Sequence, residues 1–144
     1  MNYEQIASEL RLFESKDFEN YVPERLNELI DALMELPNPE LGIPELFAFI
    51  ERLPDSDLGS PGPIVHALER MNYVDELEAS IRRRPTPLSI WMVNRVLNSS
   101  LPRERRQCFI DLLASVEAHP RANDAARSEA RDFIEFQSKR LTCD

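Results

Sequence analysis

Three glycines are all that this chain of 144 residues contains, and two of them, Gly59 and Gly62, lie within four positions of each other. That scarcity excludes a glycine-rich phosphate loop, which needs several positions free of Cβ. Cysteine is scarcer still. Cys108 and Cys143 are too few for a disulfide framework, and the two histidines, fifty-three residues apart, do not supply the spacing of a zinc site. A reducing, cytoplasmic compartment is therefore expected, with no metal and no other cofactor. No apolar run approaches the roughly 18 residues of a membrane helix. Met1-Asn2-Tyr3-Glu4-Gln5 has neither a basic n-region nor an apolar h-region, so no signal peptide is expected either.

Positive charge is also in deficit, and unevenly. Residues 1–57 hold fourteen acids and four bases, net −10; residues 58–144 hold twelve and thirteen, net +1, which together return the −9 of the whole chain. Such a field argues against nucleic acid or an anionic membrane as the ligand of the first half and favours a basic partner.

Proline is abundant, with eleven residues, and it punctuates a series of helical patterns. The first pattern covers about Glu4 to Phe13, with Ile6, Ala7, Leu10 and Phe13 on one face. Lys16 to Tyr21 reads as a connection whose Phe18 and Tyr21 tuck inward. Pro23 opens the second helix, which runs to Leu36 with Leu26, Leu29, Ile30 and Leu33 inward. Pro44 opens the third, and Leu46, Phe47, Phe49, Ile50 and Leu53 supply its apolar surface.

The fourth helix is expected over Ile64–Met71, the fifth over Val74–Arg83 and the sixth over Leu88–Asn98. The sixth is apolar nearly all round, which puts it at the centre of a core. The seventh spans Arg103–Ala118 with Cys108, Phe109, Leu112, Leu113 and Val116 inward. An eighth begins at Asn123 or Asp124, a good N-cap, and reaches Leu141 with Ala126, Ala130, Phe133, Ile134 and Gln137 along one side. No stretch alternates as a strand would. The fold class is all-α: about eight helices in antiparallel pairs within a single domain, residues 1–144, as a short HEAT-like solenoid or an irregular helical bundle.

Two stretches stand out. Leu58-Gly59-Ser60-Pro61-Gly62-Pro63 is a shaped turn: Gly59 and Gly62 permit positive φ, while Pro61 and Pro63 fix φ and remove two donors. Pro63 suits the first turn of the helix behind it. Its carbonyls need donors from elsewhere, and Asn94 and Asn98, four apart on one helix face with Arg95 beside them, are the residues expected to serve them. Trp91 belongs to the same helix and reads as core. The second stretch is an acidic one. Glu24, Glu28, Asp31 and Glu35 share one face of the second helix, opposite its leucines. Like charges at that spacing cost a helix a few tenths of a kcal/mol per pair, so they do not serve helix stability. They form a rim for a basic partner or else a solvated outer face, and Glu40, Glu45, Asp55 and Asp57 enlarge the same field.

Catalytic readings are weaker. His66 with Glu69 three residues on could be an oriented base, but no serine or cysteine nucleophile pairs with it; a structural histidine bonded to a nearby carbonyl is the simpler reading. Cys108 reads as a small buried hydrophobe, Cys143 as incidental at the terminus, and Arg82-Arg83-Arg84 as cations complementing a helix C-terminus.

Leu58-Gly59-Ser60-Pro61-Gly62-Pro63-Ile64-Val65-His66 and Pro85-Thr86-Pro87 followed by Trp91-Met92-Val93-Asn94-Arg95-Val96-Leu97-Asn98 resemble small bacterial immunity proteins of polymorphic toxin systems, including contact-dependent growth inhibition. The resemblance covers residues 58–98. It implies a non-enzymatic cytoplasmic protein that binds and neutralises one cognate toxin domain, with the shared motif marking scaffold rather than partner contacts. Many such toxins are nucleases with basic surfaces, which an acidic patch can occupy. The rival expectation is a helical-repeat adaptor that receives a peptide or protein client in an apolar groove. Neither reading sets an oligomeric state.

Overall fold

The computed structural model of the chain describes residues 1–59 and 61–142, without the side chains at 141 and 142; Ser60 and Cys143 lie outside the described residues. Among the described residues there are eight α-helices and no strand. In order they are α1 (Tyr3–Leu10), α2 (Glu24–Met34), α3 (Ile43–Arg52), α4 (Gly62–Glu69), α5 (Val74–Arg83), α6 (Pro87–Leu97), α7 (Arg103–Ser115) and α8 (Asp124–Thr142). Short 3₁₀ turns occupy Ser15–Phe18, Pro39–Gly42 and Val116–Ala118. No helix is long and apolar enough to cross a membrane.

Local chemistry sets the helix ends. Asn2 and Gln5 cap α1 reciprocally, each side-chain oxygen accepting from the other's backbone N–H at 2.9 Å. Thr86 and Ser89 repeat the device at α6: Thr86 Oγ1 accepts from Ser89 N–H at 3.2 Å, and Ser89 Oγ accepts from Thr86 N–H at 3.0 Å. Asn123 Oδ1 accepts from Ala126 N–H at 2.7 Å and so caps α8, as its position suggested. Prolines stand in the first turn of α3, α4 and α6.

The chain divides into two compact units, Met1–Glu76 and Leu77–Asp144, with the boundary inside α5. In the first, α2 packs on α1 and on α4, and α4 also meets α3. The leucines and isoleucines expected inward on α1, α2 and α3 are buried. A trio of rings, Phe13, Phe18 and Phe49, has all three centroid separations at 5.9 Å. Arg52 of α3 stacks near Phe49 and donates to the carbonyls of Phe13 at 2.6 Å and Leu10 at 3.0 Å, closing the free end of α1. Helix α1 accordingly stops at Leu10 rather than reaching Phe13. Tyr21 does not tuck inward: it is 73% exposed. Phe18 takes the inward place from this non-periodic connection and leaves Tyr21 to solvent.

In the second unit, α6, α7 and α8 pack on one another. Helix α6 buries Ser89, Ile90, Met92, Val93, Asn94, Val96 and Leu97, as its all-round apolarity predicts. Phe109, Leu112, Leu113 and Val116 are buried as expected, but Cys108 is exposed. It sits about 100° round the helix from Phe109, at the edge of the stripe.

Candidate partner-binding surface

Helix α2 carries the strongest candidate. Leu26, Leu29, Ile30 and Leu33 are buried, so the opposite face must meet water, and Glu24, Glu28, Asp31 and Glu35 are all exposed on it. Glu28 accepts from Arg25 at 3.0 Å, and Glu24 has a long contact of 3.5 Å with the amide of Asn27. Asp31 and Glu35 have no ion pair among the described residues.

The four bases of residues 1–57 are all occupied inside the first unit. Arg11 grips Glu45 with two bonds, 2.8 and 3.1 Å, which raises the pKa of its guanidinium. Lys16 lies 3.3 Å from Glu14. Arg25 bridges Glu9 at 2.5 Å and Glu28, and hydrogen bonding to Glu28 is the leading cause of its own raised pKa. Arg52 holds the carbonyls at the end of α1. Carboxylates at Glu4, Asp17, Glu19, Glu24, Asp31, Glu35, Glu40 and Asp57 are left without an ion pair among the described residues, so the acidic excess is expressed at the surface rather than cancelled locally.

The other acidic candidates divide by role. Glu40 and Asp55 are exposed, whereas Glu45 is half-buried under Arg11. Asp57 is exposed but Oδ1 accepts from Gly59 N–H at 3.0 Å, so it helps to shape the glycine-proline turn. That turn has the expected backbone: φ is 102° at Gly59 and 77° at Gly62. A Cβ at Gly59 would stand 2.5 Å from Gly62 Cα. Pro61 has φ −78°, and Pro63 lies in the first turn of α4.

The asparagines do something else. Asn94 and Asn98 each accept a hydrogen bond from Gln137 Nε2 of α8, at 2.7 and 2.9 Å. Arg106 Nη2 donates to Gln137 Oε1 at 2.6 Å and its Nη1 to Leu97 O at 2.7 Å, and Arg140 also donates to Asn98. The polar centre expected between the asparagines and the turn is thus a network organised by the fully buried Gln137 within the second unit. Arg95 is exposed, with its guanidinium 4.9 Å from the centroid of Trp91, which is half-buried rather than core. His66 is exposed as well, and among the described residues its ring bonds to no carbonyl; Ile64, Val65, Ala67 and Leu68 take the inward positions of α4 and leave it the outer one.

Sequence reasoning missed a cleft of about 500 Å³ in the first unit. Leu12, Phe13, Tyr21, Pro23 and Leu29 supply its apolar lining, and Lys16, Asp17, Glu9 and Arg25 its polar edge. Leu12 is 76% exposed. The signal was there in part: Leu12 and Tyr21 both lie off the periodic positions that the neighbouring helices bury. Among the described residues no group of three or more histidines, cysteines or carboxylates is arranged to hold a metal ion. Comparison with family models, with curated proteins and with solved structures returns no match to the chain.

Proposed function

We propose that this protein is a non-enzymatic immunity protein, acting in the cytoplasm, which binds one cognate toxin domain of basic surface and neutralises it through the acidic face of α2. The observation that carries the reading is the exposed row Glu24, Glu28, Asp31 and Glu35 in a unit whose every base up to residue 57 already serves an internal contact. A helix gains nothing from like charges three and four apart. An approaching cationic surface gains a steering field that speeds encounter and, on a nuclease, occupies the ground of the nucleic acid.

Two measurements test this. Co-expression with the C-terminal domain of the toxin encoded directly upstream should restore growth; absence of any toxic product from that position would remove the toxin reading. Against that domain, the combined variant Glu24→Gln, Glu28→Gln, Asp31→Asn, Glu35→Gln should associate about tenfold more slowly at low salt, with a shallower salt dependence. An unchanged rate would remove α2 from the interface.

One observation favours the second reading, a helical adaptor for a peptide or protein client: the apolar cleft beside Leu12 and Tyr21. A client held there alone would bind with little dependence on salt, which separates the two readings.

A further inference from the structure

We propose that the cleft between the end of α1 and the start of α2 receives one projecting aromatic side chain, flanked by lysines or arginines, from the basic partner. The inference deepens the acidic docking reading above and rests on it. Leu12 and Tyr21 are 76% and 73% exposed, yet they stand at the rim of a concavity rather than on a convex surface. Phe13, Pro23 and Leu29 form its apolar lining. At about 500 Å³ it falls within the range of clefts that enclose a ligand group.

Charge specifies what accompanies the apolar group. Lys16 and Arg25 line the cleft but are paired, Lys16 with Glu14 and Arg25 with Glu9 and Glu28, while the lining residue Asp17 has no ion pair among the described residues. The lining itself holds two carboxylates and two cations, but Glu14 and Glu28 just outside it bind those same cations, and α2 continues the negative surface through Glu24, Asp31 and Glu35, so the surroundings of the hollow are acidic. Interfaces concentrate their affinity where a large aromatic anchor enters such a hollow and a charged rim excludes water around it. The carboxylates govern encounter; the anchor governs residence.

The probe is a capped peptide of one tryptophan flanked on each side by two lysines, with a control peptide carrying alanine for tryptophan. Both are titrated at low salt into the ¹⁵N-labelled full chain. The tryptophan peptide should shift the amides of Leu12, Phe13 and Tyr21 and bind about tenfold more tightly than the control. Leu12→Ser with Tyr21→Ser, both at exposed positions that the fold does not need, should abolish that difference and keep the weak salt-sensitive binding that both peptides share. Equal binding of the two peptides, with shifts confined to α2, would overturn the anchor and leave the acidic surface standing. Binding of both peptides unaltered by the fourfold neutralisation of α2 would instead count against the acidic surface. Titrations that move no amide in the cleft overturn the proposal.

Discussion

The two units handle polar groups in opposite ways. In Met1–Glu76 most carboxylates point outward, and three of the five bases hold the scaffold: Arg52 on the end of α1, Arg11 on Glu45, Arg25 across Glu9 and Glu28. In Leu77–Asp144 twelve bases outnumber nine acids, and the informative polar groups are inside. Gln137 is fully buried between Asn94, Asn98 and Arg106, and Arg127 closes the turn after α7 by donating to His119 O at 3.0 Å and Glu117 O at 3.2 Å. A buried amide with donor and acceptor both matched tells α8 which register to adopt on α6, because any slip would leave several groups unsatisfied. An outward carboxylate tells the fold little and a partner much.

Breaking the inner network should therefore cost most. Gln137→Ala removes the donor to the buried Asn94 oxygen and takes one partner each from Asn98, which keeps Arg140, and from Arg106, which keeps Leu97 O; together with the lost side-chain packing this should lower unfolding free energy by about 3 kcal/mol in urea titrations. A loss below about 1 kcal/mol would mean that water replaces the amide freely.

In the first unit the comparable weak point is backbone rather than side chain. Gly59→Ala forces a Cβ onto φ 102° and against the Gly62 backbone, a cost of about 2 kcal/mol that thermal melting should reveal. A neutral result would show that the turn can be rebuilt cheaply.

Neutralising Glu24, Glu28, Asp31 and Glu35 together should change stability by less than about 1 kcal/mol, in the stabilising direction, since the like-charge pairs on α2 disappear. A clear destabilisation by chemical denaturation would assign the row a structural purpose and weaken the contrast between the units.

The smallest effect belongs to an exposed pair in the second unit. Arg131 grips Glu117 with bonds of 2.7 and 3.2 Å, and this hydrogen bonding holds the Glu117 carboxyl below its usual pKa. A depressed folded pKa contributes stability above the unfolded value of about 4.3, and that contribution disappears as pH falls through the folded value. Glu117→Gln should accordingly reduce Tm slightly at neutral pH and not at all in strong acid. Parallel melting curves for the two proteins from pH 7 down to pH 3 would contradict this.

Much of the contrast could be read before any coordinates. The spacing of Glu24, Glu28, Asp31 and Glu35 against Leu26, Leu29 and Leu33 assigns inside and outside by helical period alone, and all of them lie where that period puts them. Gly59 and Gly62 announce positive φ because few other residues tolerate it. Tyr21, His66 and Cys108 were misplaced for separate reasons. Tyr21 stands in a connection without period, so its hydrophobicity carries no direction. His66 lies on a short helix with apolar neighbours on both sides, and only packing shows which face is left over. Cys108 sits at the margin of a stripe, where a small rotation of α7 decides burial.

Asn94 is the most instructive case. Its polarity and position marked it as a buried hydrogen-bonding residue, and the partner that its oxygen meets in the structure is one the sequence did not suggest. The amide that meets it belongs to Gln137, forty-three residues further along. Proline, glycine, capping residues and helical period act within about four residues, so the chain's own order determined where its helices start, stop and turn their apolar sides. Pairing between distant polar groups, and the hollow left beside Leu12 and Tyr21, depend on how finished helices fit against each other. Only the tertiary structure could decide those, because contacts between far-apart residues are made by packing and leave no local trace in the sequence.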